Sequence, residues 1–196
     1  MSKILVDTID TRSGTTTLTV GSSNSSAISL AKNVSLSSSV VQSNFLNPSF
    51  MAYSSGATTI SDDTWTKVQF GTEEFDSDSC YDNSSNYRFT PTVAGKYAVT
   101  ATVIGNANAV GQLRELYVAL YKNGSSYAMM SEENLNNAFD EYKRTGIGMF
   151  IIDMNGSSDY LEVYTYINNT SGSPAYSGSG VKGTHFGAFR IGTWAH

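Results

Sequence analysis

The segment from Tyr81 to Val103, YDNSSNYRFTPTVAGKYAVTATV, does most to limit what this chain can fold into. A Tyr-Asp turn opens it and leads into a short strand. Pro91 and Gly95 then interrupt the chain before a second, longer strand. Proline has no N–H for a ladder and glycine weakens a strand, so the pair marks a break between two strands. Beyond the break, Tyr97, Val99, Ala101 and Val103 recur at every second position. That is the period of a strand with one face in a core.

The same pattern continues from Phe50 onward. Candidate strands are SFMAY (49–53), WTKVQFG (65–71), YRFTP (87–91), GKYAVTATVIG (95–105), RELYVALYKNG (114–124), TGIGMFIIDM (145–154), DYLEVYTYIN (159–168) and THFGAFRIG (184–192). Asn123-Gly124 and Asn155-Gly156 are tight-turn signals, because both residue types tolerate positive φ. LRELYVAL hints at a helix, but its β-branched and aromatic residues favour a strand. Strands and turns at this spacing indicate an all-β sandwich or jelly roll. No P-loop or βαβ alternation is present.

Composition narrows the function. A chain of 196 residues holds one sizeable domain plus an appendage. The net charge of -5 and the lack of any Lys/Arg block argue against nucleic acid as a partner. No apolar run approaches the ~20 residues of a spanning helix, so membrane insertion is not expected. Cys80 is the single cysteine, which excludes an intrachain disulfide. The opening MSKILVDTID lacks the apolar region of a signal peptide. The expectation is a chain folded in a host cytoplasm, with a hydroxyl-rich surface suited to work outside a cell. A virion component satisfies both.

The chain divides near Asn44 to Pro48, into an arm over residues 1–46 and a head over 47–196. In the arm, Leu18 and Val20, Ile28 and Leu30, and Val34 and Leu36 are pairs two apart, the spacing of half-buried strands. Isolated strand pairs are marginal in water, so an extended β-rich arm is expected to bury its apolar edge against other copies. The composition equally fits a disordered Ser-rich leader.

In the head, SFMAY, KVQFGTEEFD, YDNSSNYRFTPTVAGKYAVTATV, LYVALYKNG, YLEVYTYIN and GTHFGAFRIG follow one order. Over residues 49–192 this order resembles that of the complement component 1q-type globular domain, a relative of tumour necrosis factor. Phe89, Pro91, Gly95 and Tyr97 stand at the places of that family's Phe-x-Pro-x-x-Gly-x-Tyr core, with one extra residue in FTPTVAGKY. Two departures stand out: an acidic insertion at Ser131 to Arg144, and no preceding collagen repeat. The resemblance implies a ten-stranded jelly-roll β-sandwich that packs as a homotrimer, with exposed aromatics along the threefold axis. Tyr164 and Tyr166, with Phe186 or Phe189, are the expected axial residues. A plain core role for some of them is an equal alternative.

The arm carries a second resemblance. ILVDTIDTRSGTTTLTVGS is similar to the N-termini of tail-fibre and tail-associated proteins of marine and cyanobacterial phages, where a Val-Asp-x-Ile opening and a Gly-Thr pair precede a C-terminal head. It implies a phage virion protein whose arm meets other virion proteins and whose head points outward.

Catalysis finds no support in the residues. Glu73, Glu74, Asp76, Asp78 and Asp82 form the densest acidic cluster, which reads best as a solvated loop. Their oxygens are of the type calcium takes, but the spacing fits no loop formula; a bound calcium ion is the one cofactor left open. His185 and His196 make neither a zinc site nor a triad. Binding is the stronger expectation, since loops on rigid scaffolds usually carry recognition. NNTSGSPAYSGSG supplies Tyr176, and NAFDEYKR supplies Phe139, Tyr142 and Arg144, as candidate contacts to a glycan or protein on a host surface. Three functions remain: a host-recognition fibre head, a structural capsid-decoration, collar or tail-junction protein without a host ligand, and a free lectin-like or cytokine-like trimer.

Overall fold

The computed structural model describes residues 48–135, 141–178 and 181–192. The arm over 1–46, Phe139 and His196 lie outside the described residues. Among the described residues every regular element is a strand. In chain order these are β1 (Ser49–Tyr53), β2 (Thr58–Thr59), β3 (Thr66–Lys67), β4 (Thr72–Asp76), β5 (Tyr81–Asp82), β6 (Arg88–Phe89), β7 (Gly95–Asn106), β8 (Leu113–Lys122), β9 (Ser125–Asn134), β10 (Lys143–Met154), β11 (Leu161–Asn169), β12 (Ala175–Tyr176) and β13 (His185–Gly192).

Two antiparallel sheets enclose one core. Sheet A runs β2-β12-β7-β13-β1-β4, with β10 on the other side of β7. Sheet B runs β5-β6-β11-β8-β9, with β3 beside β6 on the same edge of β11. The chain crosses from sheet A to sheet B between β7 and β8 and returns between β9 and β10, the back-and-forth of a jelly roll.

The strand–break–strand segment forms the centre of this core. Tyr97, Val99, Ala101 and Val103 are all fully buried, and Phe89 and Pro91 are buried before them. The Tyr97 hydroxyl donates to the Val93 carbonyl at 2.6 Å, which closes the turn between the strands and satisfies a buried polar atom. Phe50 stacks on Tyr81 at 4.5 Å and on Phe89 at 4.8 Å, and meets Phe186 edge-on at 4.9 Å. Each such side chain contributes about 1.5–3 kcal/mol of burial.

The two predicted tight turns differ. Asn123 and Gly124 both have positive φ (54° and 78°), so they close the β8–β9 hairpin as a two-residue turn. At Asn155-Gly156 only the glycine is positive (φ 70°). Here the Asn155 Oδ1 accepts from the amides of Ser157, Ser158 and Asp159, making a longer loop fixed by its first side chain. Gly156 is required for space as well: an added Cβ would lie 2.2 Å from the Ala94 nitrogen.

Other expectations need correction. The acidic insertion at Ser131 to Arg144 is in part regular structure, since Ser131 to Asn134 complete β9 and Lys143 and Arg144 begin β10. The acidic segment at Glu73 and Glu74 is likewise part of a strand, β4, paired to β1 at a sheet edge. WTKVQFG shrinks to the two residues of β3, although Val68 and Phe70 beyond it are buried. Among the described residues there are thirteen strands where ten were implied, five of them only two residues long.

Candidate functional site

The sandwich leaves two outer faces, and they are chemically unlike. On sheet A the inward residues of β7 are fixed by burial, so the register of its neighbours assigns their faces. Opposite the outward Thr102, Thr100 and Ala98 stand Ile147, Met149 and Ile151 of β10. The inward positions beside them are Gly146, Gly148 and Phe150. An added Cβ at Gly148 would lie 2.4 Å from the Met130 Cβ, and one at Gly146 2.6 Å from a Val118 methyl. Glycine thus lets this half of β10 lie close over β8 and β9 while Ile147, Met149 and Ile151 point away from the core; further along, Ile152 and Met154 are buried in it.

Ile147, Met149 and Ile151 are 62%, 68% and 56% exposed. Across the sheet the register places Phe75, Met51, Gly187, Thr100 and Met149 in one row, with exposed Phe189 one row further along. The middle of that row is small and its ends are large. A pocket of about 180 Å³ results, floored by Gly187 and Thr100 and flanked by Met51, Phe75 and Phe189. His185 borders it. Its Nδ1 lies 2.9 Å from the Lys182 carbonyl, which can only accept, so Nδ1 is the donor there, and Nε2 lies 3.2 Å from Thr102 Oγ1. Among the described residues β10 is also an unpaired sheet edge, and a long apolar edge strand is a ready docking surface.

Sheet B presents aromatic rings of another kind. Tyr117 and Tyr166 face each other in register and stack at 5.3 Å, and Tyr121 stacks on Tyr164 at 4.0 Å. Trp65, just before β3, tilts against Tyr117, Tyr121 and Tyr166 at 5.6 to 6.5 Å. The Tyr166 hydroxyl donates to Asp63, and this bond, helped by burial, pushes its pKa up to about 12. Tyr117 is also held above the ordinary phenol value, by burial and by its 2.9 Å hydrogen bond to Glu115. Asp63 itself is held below the usual carboxylate range by the Tyr166 and Asn168 hydrogen bonds.

The expected axial residues are therefore not brought together. Tyr164 and Tyr166 lie on the outer face of sheet B, Phe189 on the outer face of sheet A, and Phe186 in the core at 0% exposure. Phe186 cannot point at an axis, because it fills the space between Phe50, Phe70 and Tyr81. The expected ligand residues divide too. Tyr176 is fully buried, with its hydroxyl accepting from the Gln69 amide at 3.1 Å, so it is a core residue rather than a contact. Tyr142 and Arg144 stay exposed where the chain enters β10, with Arg144 paired to Glu141 at 2.8 Å.

The acidic segment holds its own backbone. Asp82 accepts from the amides of Ser85, Ser84 and Asn86 and is held well below the carboxylate range by them. Asp76 accepts from the amides of Tyr81 and Asp78. Among the described residues no group of three His, Cys, Asp or Glu side chains is placed to hold a metal ion. Cys80 is buried, and burial and the neighbouring Asp76 push its thiol up, away from reactivity.

No family model and no curated protein matches the sequence. Solved structures do match the fold. Eiger, a tumour necrosis factor of S. frugiperda, aligns with a TM-score of 0.53 at 11% identity, over 77% of this chain and 95% of that one. Murine APRIL aligns at 0.51 and 11% identity, over 74% and 100%. The globular domain of zebrafish complement 1qA aligns at 0.50 and 13% identity, over 76% and 100%. The fold is the jelly roll of the tumour necrosis factor and complement 1q heads. At these identities the likeness carries the architecture alone.

Proposed function

We propose that this chain is a non-enzymatic, homotrimeric head of a tailed-phage virion protein, attached to other virion proteins through its N-terminal arm and turned outward to recognise a host surface. The observation that carries the assembly is the first half of β10, where Gly146 and Gly148 face inward and Ile147, Met149 and Ile151 face outward. Ile152 and Met154 anchor the far half of the strand in the core, and the exposed ridge on its first half is the surface a second copy would cover. The ridge on β10 and the pocket over Gly187 are different parts of one face. A head-to-tail contact of ridge to pocket is heterologous and is compatible with a closed ring. The choice of three copies rests on the resemblance of the sequence to the complement 1q-type family. The phage assignment rests on the likeness of ILVDTIDTRSGTTTLTVGS to tail-fibre leaders.

Sedimentation or light scattering tests the assembly: a trimer is expected at micromolar concentration, and a stable monomer overturns it. Met149→Glu is expected to give a folded monomer. Binding to marine bacterial and cyanobacterial cells tests the outward role. Failure across the proper hosts favours a collar, decoration or tail-junction part.

A further inference from the structure

Building on the reading of the chain as a recognition head, we propose that the outer face of sheet B is a binding platform for neutral saccharides, centred on Trp65 and the paired tyrosines 117/166 and 121/164. The two outer faces differ in kind. Sheet A offers Ile, Met and Phe, which carry no hydrogen-bonding side-chain atoms and suit another copy of the chain. Sheet B offers mainly Tyr and Trp rings, each with an apolar body and a polar tip, with Met129 beside them. The five rings form one continuous patch, each half-buried, so their positions are set before a ligand arrives. Preset groups spare a ligand the cost of ordering them.

The polar atoms around the rings match a sugar's hydroxyls. Tyr117 and Tyr166 give their single hydroxyl protons to Glu115 and Asp63, so their oxygens are left to accept from a ligand hydroxyl. Glu115 uses Oε1 to accept from Tyr117 and from Asn134, and Asp63 uses Oδ1 to accept from Tyr166 and Asn168. Each carboxylate retains a second oxygen for a ligand hydroxyl, while a pyranose C–H face lies on the rings. Charge selects the class of sugar. Asp63, Glu115 and Glu132 border the patch, and its cation, Lys67, is engaged by Glu162 at 2.5 Å. An acidic face disfavours sialylated, phosphorylated or uronic sugars and accepts neutral ones. It also disfavours a second copy of itself. A ring closed through sheet A leaves three such platforms outward, which multiplies a weak single-site affinity.

The test applies the purified full chain to an array of neutral and sialylated oligosaccharides and, in parallel, to marine bacterial and cyanobacterial cells. Trp65→Ala, Tyr166→Phe and Glu115→Gln are compared with Arg144→Ala, all checked for assembly. Tyr166→Phe and Glu115→Gln keep side-chain volume, so they remain informative if Trp65→Ala unfolds. The expected result is binding to neutral sugars, weakened about tenfold or more by the sheet B changes and unchanged in Arg144→Ala. Neutral-sugar binding that survives the sheet B changes overturns the platform and leaves recognition standing. Binding to sialylated sugars alone overturns the neutral class, and adsorption to cells without array binding overturns saccharide as the ligand. Absence of both sinks the recognition head itself.

Discussion

At the scale of single residues, Phe186 and Phe189 show how position in a strand decides what a side chain does. They are three apart, so a regular strand must put them on opposite faces. Phe186 is at 0% exposure among core rings, and Phe189 is 52% exposed beside the pocket of sheet A. Phe186→Ala should therefore destabilise the fold by about 3–5 kcal/mol, read as a lowered denaturant midpoint. Phe189→Ala should leave the monomer's own stability nearly unchanged and weaken assembly instead. Equal losses from the two would contradict the assigned faces. Asp159 makes a different kind of residue-scale contribution. It accepts from Asn123 Nδ2 at 2.8 Å and the Asn155 amide at 3.0 Å and pairs with Lys122 at 2.9 Å, tying the β8–β9 turn to the β10–β11 loop. Burial alone would raise its pKa, but these partners outweigh burial and hold it below the ordinary value. A depressed carboxyl pKa contributes stability that is fully present above its unfolded value of ~3.9 and is lost as pH falls through the folded value. Asp159→Asn should cost about 1.5–3 kcal/mol at neutral pH. Thermal melts of variant and wild type should then converge in acid, and a constant gap would refute the assignment.

At the scale of elements, β10 joins sequence pattern to packing most directly. Gly148 lies against Met130, with an added Cβ 2.7 Å from its carbonyl oxygen and 2.8 Å from its Cα. Backbone cannot swing aside as a side-chain tip can. Gly148→Val should destabilise by about 1–3 kcal/mol through overpacking and should loosen the edge strand that assembly needs. Hydrogen exchange over β10 would report that loosening, and native protection in the variant would refute it. The strands legible in the sequence were those with a buried face: β1, β7, β8, β10, β11 and β13 all carry alternation or turn signals. Those that were missed sit at edges or bridge for two residues. β4 and most of β9 are held by ladder hydrogen bonds with little burial, so residues such as Glu73, Glu132 and Glu133 mask them as acidic loops. The site was less legible. Tyr164 and Tyr166 share a face by parity, but nothing in the sequence brings Trp65 onto them. That contact depends on how the chain returns along the edge of β11. Tyr176 looked like a loop aromatic because its two-residue strand leaves no period to read.

At the scale of the whole molecule, the two outer faces make separate claims that one measurement can couple. If copies of the chain cover sheet A, unfolding one trimer yields three chains, and mass action must show in the melting temperature. A tenfold rise in concentration then adds two factors of ten to the equilibrium, ~2.7 kcal/mol per trimer or about 0.9 per chain. For a domain of this size, ~1 kcal/mol moves the midpoint by about 2–4 °C. Wild-type protein should therefore melt about 3 °C higher for each tenfold rise in concentration. Met149→Glu places a carboxylate in the middle of the apolar ridge, where burial against another copy would strand an unpaired charge. Its midpoint should be lower than wild type and independent of concentration. Glu115→Gln, on the opposite sheet, should keep the full concentration dependence while losing saccharide. A concentration-independent midpoint in wild-type protein would mean that the apolar face of sheet A is not covered by its own kind. A concentration dependence lost in Glu115→Gln as well would mean that the two faces are not independent surfaces.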